Sequence, residues 1–193
     1  MENRNTVKID KAIDPKEVFI RCLLRPLMLK GKNVKKLNHT AILPPPEDDV
    51  VSVLRLRYIT EDDAVEHGKS LVISGNTFCG IARIANEVII STNEWALSDD
   101  SISDGTDGVN GIQATMIASP MYSGDDYVPK EIDVYLDDES ITFPLQAHAE
   151  IKYNNVNSGD IRTRLRAYAN QLLKKITYKL IDKTGKFVDE IGQ

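Results

Sequence analysis

The sequence predicts an α+β fold: a mixed, mainly antiparallel sheet of about five to seven strands, with a long C-terminal amphipathic helix packed on it. Three observations predict it. Short β-branched and aromatic segments such as Val50–Ile59 alternate between turn signals, as half-buried strands do. Thr60-Glu61-Asp62-Asp63 spells a capping box, with Thr60 as N-cap and Asp63 as the third residue. From residue 160 to 183, Ile161, Leu165, Tyr168 (or Ala169), Leu172, Ile176 and Leu180 recur at spacings of three and four.

Taken in order, Asp14-Pro15-Lys16-Glu17 reads as a single helical turn, and Val18–Leu24 as a strand ended by Pro26. Gly31 suggests a reversal, and Ala41-Ile42-Leu43 a short strand stopped by Pro44-Pro45-Pro46. After the capped helix, Gly68 suits a left-handed C-cap. Leu71–Ile73, Phe78–Ile84 and Val88–Ile90 read as one to three strands, although 81–88 fits a helix as well. Residues 97–111 are rich in Ser, Asp and Gly and predict a flexible acidic loop. Strands are expected within 113–121, 132–136 and 147–153, with turns at 123–126 and 137–139. The expected organisation is one domain over 1–193, a sheet-rich body over 14–153 and a helix of ~35 Å over 160–183.

Composition excludes several classes. Hydrophobic residues at 41% and charged residues at 27% are those of a globular chain, not a disordered one. No apolar run approaches the ~20 residues that span a bilayer, so no membrane association is expected. Cys22 and Cys79 make no disulfide framework, which with the polar start predicts a cytoplasmic setting. Charge is segregated: residues 1–60 carry +5, 61–150 carry −15 and 151–193 carry +5. Either the basic ends neutralise the acidic middle internally, or the acidic stretch or the basic helix is a docking face. On the expected helix, Arg162 and Arg166, then Lys175, Lys179 and Lys183, stand opposite the apolar stripe; Arg162, Arg166, Lys175 and Lys179 are the candidate partner-binding residues.

Catalytic motifs are sparse. His148-Ala149-Glu150 begins like a zinc deaminase, but no cysteine pair follows it. An EF-hand register from Asp100 puts Ile102 and Gly111 at ligand positions, which disqualifies it. No nucleophile elbow, Walker loop or dinucleotide fingerprint is present, and no cofactor or metal is expected. One constellation remains: Arg21, Arg55 and His148, each in an expected strand among apolar neighbours. Two arginines and a histidine suit phosphate binding with proton transfer, provided that they converge; otherwise Arg21 and Arg55 pair with acids such as Glu150 on exposed strand faces.

Four patches, Asp14–Arg21, Val51–Arg55, Thr60–Ala64 and Pro144–Ile151, resemble a family of small uncharacterised bacterial proteins. Its members have an arginine-bearing first strand, a Leu-Ser-Val-Asp-Arg-like segment and a late Pro…His-Ala-x-Ile strand. This chain departs at Leu54, where an acidic residue is common, and at Gln146. The resemblance implies genes of mobile or defence-type clusters and no known reaction. It groups Arg21, Ser52, Arg55 and His148 as a polar signature.

Two functions follow as expectations. The first is a non-enzymatic accessory protein binding a protein partner encoded nearby, through the acidic middle or the basic helix. The second is a small metal-independent enzyme acting on RNA or a nucleotide through Arg21, Arg55 and His148. Direct nucleic-acid binding by the helix ranks behind both.

Overall fold

A computed structural model describes residues 6–8, 12–30, 36–71, 75–98, 111–119, 133–135, 147–154, 161–182 and 184–192. The chain runs through β1 (Thr6–Lys8), β2 (Val18–Arg25), β3 (Leu29–Lys30), β4 (Lys36–Leu37), a 3₁₀ turn (His39–Ala41) and β5 (Val50–Arg55). There follow α1 (Glu61–Ser70), β6 (Thr77–Ala85), α2 (Asn86–Ser98), β7 (Ala114–Ala118), β8 (Asp133–Tyr135) and β9 (His148–Tyr153). It ends in α3 (Ile161–Leu173), β10 (Thr177–Ile181) and β11 (Phe187–Gly192).

Seven strands form one sheet in the order β11-β10-β6-β2-β5-β9-β7. Every neighbouring pair is antiparallel, so the sheet is not mixed. β1 pairs with β8, and β3 with β4, in separate ribbons. Because β5 and β6 flank β2 on either side, α1 must cross over β2 to join them. The two sheet faces are covered by different helices. Phe19, Leu23, Val53, Ala82 and Ile151 pack with Ile89 of α2 and with Leu165, Tyr168 and Leu172 of α3. Ile20, Cys22, Leu54 and Ile81 pack on the other face with Ala64 and Val65 of α1.

Local signals account for several elements. Thr60 accepts from the Asp63 N–H at 3.2 Å, and Asp63 accepts from the Thr60 N–H at 2.8 Å, which completes the expected capping box. Asp14–Glu17 forms one turn, closed by Glu17 N–H donating to Asp14 O at 3.0 Å, before β2 begins.

Other expectations are overturned. The expected helix over 160–183 ends at Leu173, and Thr177–Ile181 is a strand. Ile176, Tyr178 and Leu180 are buried while Thr177 is exposed, a period of two that also satisfies a spacing of four. β-branched Thr177 and aromatic Tyr178 favour the strand, which pairs with β6 and turns back through Gly185, at φ +81°, into β11. At 13 residues, α3 is about 20 Å long. Val88–Ile90 lies in α2, where Ile89, Thr92 and Ala96 are buried at helical spacing. Leu97 and Ser98 also belong to α2, and 99–110 of the expected acidic loop lies outside the described residues. Ala41 closes a 3₁₀ turn instead of a strand. Gly68 sits inside α1 instead of ending it, and glycine fits there because a Cβ would lie 2.2 Å from the Phe78 ring. Gly31, residues 72–74, the turns at 123–126 and 137–139, Asp160 and Lys183 lie outside the described residues. Among the described residues no helix is long and apolar enough to cross a membrane.

Candidate functional site

Arg55 ends β5 opposite Phe19 and is fully buried. Its Nε donates to Glu17 Oε1 at 2.6 Å, and its Nη2 to Glu17 Oε2 at 2.9 Å and to Ala12 O at 2.7 Å. The guanidinium also lies 5.0 Å from the centre of the Tyr58 ring. A bidentate, desolvated pair of this kind ties the turn before β2 to the end of β5.

His148 is opposite Leu54, the neighbour of Arg55, so alternation puts the His148 and Arg55 side chains on opposite faces of the sheet. His148 is buried, with Nδ1 in contact with Ser119 O. It borders a cavity of about 160 Å³ beneath α1, together with Cys22, Ser52 and His67. Burial, and then the neighbouring His148, push the His67 imidazole below its usual range. Burial raises the Cys22 thiol to about 11, which leaves little thiolate at neutral pH. Arg21 also borders this cavity, but Arg55 does not. The structure therefore does not bring Arg21, Arg55 and His148 together as one set. Arg55 does pair with an acid, but that acid is Glu17 and not Glu150, and the pair is buried instead of lying on an exposed strand face.

The four cations expected on one helix face are dispersed by the break after Leu173. Lys175 follows α3 in a turn and donates to Ser91 Oγ at 2.9 Å. Lys179 is on β10, between the inward-facing Tyr178 and Leu180, and reaches the α1 side of the sheet. There it pairs with Glu61 at 2.8 Å, and Arg83 approaches the same carboxylate at 3.5 Å. The Lys179–Glu61 pair joins the basic C-terminal segment to the acidic middle of the chain, an internal neutralisation at that point. Arg162 and Arg166 remain exposed on α3.

These two arginines border a second cavity, of about 380 Å³, and Arg21 borders it from β2. The register of β2 with β5 ends at Ile20 and Leu54. Just beyond it, Arg21 donates from Nη1 to Ser52 O at 2.7 Å and from Nε to Ala41 O at 3.2 Å. The guanidinium thus satisfies backbone carbonyls where the two strands part. Burial pushes its pKa down, and among the described residues it makes no ion pair. Arg162 and Arg166 likewise pair with no carboxylate among the described residues. His39, Thr40 and Asp48 complete the polar lining, and Met28, Leu43, Pro44–Pro46 and Leu165 supply an apolar wall.

Such a hollow holds guanidinium donors beside apolar surface, the combination that binds an anion with an organic body. Arg21, Arg162 and Arg166 were singled out in the sequence, but in two separate groupings. His39, Asp48 and the proline wall were missed as site residues. The sole local signal was the Pro44-Pro45-Pro46 run, which reads as a strand stop and not as a surface. Among the described residues, no group of three or more His, Cys, Asp or Glu could hold a metal ion. Compared with protein-family models, with curated proteins and with solved structures, the chain has no match.

Proposed function

We propose that the protein is a non-enzymatic interaction module that recognises a protein partner through an anionic group seated among Arg21, Arg162 and Arg166. One observation carries this reading: three guanidiniums from β2 and α3 border one cavity, and none is neutralised by a carboxylate among the described residues. Arg21 is desolvated and has no counterion among the described residues, which is costly, and an incoming anion offsets that cost. Arginine also suits carboxylate and phosphate better than lysine does, since its planar fork donates two parallel hydrogen bonds. The resemblance to small bacterial proteins supplies the setting, with the partner encoded nearby in a mobile or defence-type gene cluster.

The test is isothermal titration of the full chain at low ionic strength with benzoate, inorganic phosphate and phenyl phosphate. At least one should bind, and an Arg162→Glu/Arg166→Glu variant should bind it at least about tenfold more weakly, a loss of about 1.4 kcal/mol. Both substitutions are at exposed helix positions, so circular dichroism should stay unchanged. Absence of binding at millimolar anion, or equal binding by the variant, would sink the proposal.

A further inference from the structure

We infer that the anion is the dianion of a single phosphate monoester carried on a compact apolar or aromatic body. This rests on the anion-binding reading above and names its ligand class.

Charge is the first reason. Around the cavity the three guanidiniums of Arg21, Arg162 and Arg166 stand with one carboxylate, Asp48, a formal excess of two positive charges among these four groups. A phosphate monoester carries about −1.5 to −2 at neutral pH and matches that excess. A carboxylate neutralises half of it. A polyphosphate would bring further negative charge into a cavity already lined by Asp48, and like charges in a partly dry site repel strongly.

Donor geometry is the second. Arg162 and Arg166 are four residues apart on α3, hence neighbours on one helix face. Arg21 approaches from the sheet, where its Nε and Nη1 are already held by Ala41 O and Ser52 O. Those two bonds fix the plane of the guanidinium and leave Nη2 with no hydrogen-bond partner among the described residues. Donors converging from a helix and from a sheet suit the three oxygens of a tetrahedral phosphate. The two coplanar oxygens of a carboxylate can satisfy one fork well but not all three.

The apolar wall is the third. Free phosphate would leave Pro44–Pro46, Leu43, Met28 and Leu165 facing empty or watered space. An organic body attached to the phosphate covers them and gains from apolar burial. A volume of about 380 Å³ is at the small end of the range for small-molecule sites, so the body is compact. The chemistry fits either a phosphorylated aromatic side chain of a partner or a free phosphate ester.

The experiment titrates phenyl phosphate, benzoate and inorganic phosphate into the full chain. Phenyl phosphate should bind at least about tenfold more tightly than either of the others, one decade being about 1.4 kcal/mol. In Arg166→Gln its advantage over benzoate should shrink markedly, while circular dichroism stays unchanged. Arg21→Gln should remove binding of all three; if it unfolds the chain, Arg162→Gln/Arg166→Gln makes the same comparison. Benzoate binding as tightly as phenyl phosphate overturns this inference and leaves the anion-binding reading standing. Failure of all three probes overturns both. A phosphotyrosine peptide and adenosine monophosphate then separate the two sources. The tighter of them identifies the carrier, and either result supports the monoester, provided that it is lost in the Arg162→Gln/Arg166→Gln variant; tighter binding of adenosine monophosphate would overturn the protein partner of the proposed function.

Discussion

Arg55 grips the Glu17 carboxylate with two hydrogen bonds, Nε to Oε1 at 2.6 Å and Nη2 to Oε2 at 2.9 Å, where both side chains are almost wholly excluded from solvent. The pair joins segments far apart in sequence, and Ala12 O accepts the remaining Nη2 bond at 2.7 Å. Removing one partner strands a charge in the core, whereas removing both does not. Arg55→Met should therefore destabilise the fold by about 3–5 kcal/mol, while Glu17→Leu/Arg55→Met should recover most of that loss. Urea unfolding of the three proteins measures it. A single-variant cost within about 0.5 kcal/mol, the range of a bland surface change, would mean that the pair does not hold the fold.

Gly68 and Phe78 make a second falsifiable contact. Alanine in a helix interior is worth about 1 kcal/mol more than glycine. At position 68, however, its Cβ would lie 2.2 Å from the Phe78 ring, and overpacking of that kind costs about 1–3 kcal/mol. Gly68→Ala should lower the thermal midpoint in the natural chain and raise it in a Phe78→Ala background, where the ring atoms it meets are gone. A stabilising Gly68→Ala in the natural chain would contradict the close approach.

His67 predicts a pH dependence of defined sign. Burial, followed by the nearby His148, lowers its folded pKa from the ordinary 6.5. Below pH 6.5 the unfolded chain takes up a proton that the folded chain still refuses. Stability should therefore fall as pH drops through 6.5 toward the lower folded value, and flatten below it. The slope difference between the natural chain and His67→Gln, from urea unfolding at stepped pH, isolates this group. Equal slopes in that window would show that His67 titrates alike in both states.

How much of this was legible depends on the range over which each interaction acts. The Thr60–Asp63 box spans three residues and was readable, as were the strands at Val18, Val50 and Ala147, whose alternation is local. Positions 176–180 were not. Ile176 and Leu180 satisfy a helical spacing of four and a strand spacing of two, and pairing of Tyr178 with Ala82 of β6 decides between them. The same ambiguity hid α2, since Val88-Ile89-Ile90 suits a strand until Ile89 and Ala96 join one core with the sheet and α3.

By itself, then, the sequence determined the α+β class, the capped first helix and the arginine-rich start of α3, because propensity, capping and periodicity act within a few residues. The tertiary structure decided what the charged residues do. It commits Arg55 to Glu17 and Lys179 to Glu61, sends His148 to the opposite face, and collects Arg21, Arg162 and Arg166 around one cavity. The physical reason is that a charge is assigned its role by the counterion, or the lack of one, that folding places beside it, and for these side chains those neighbours come from distant segments of the chain.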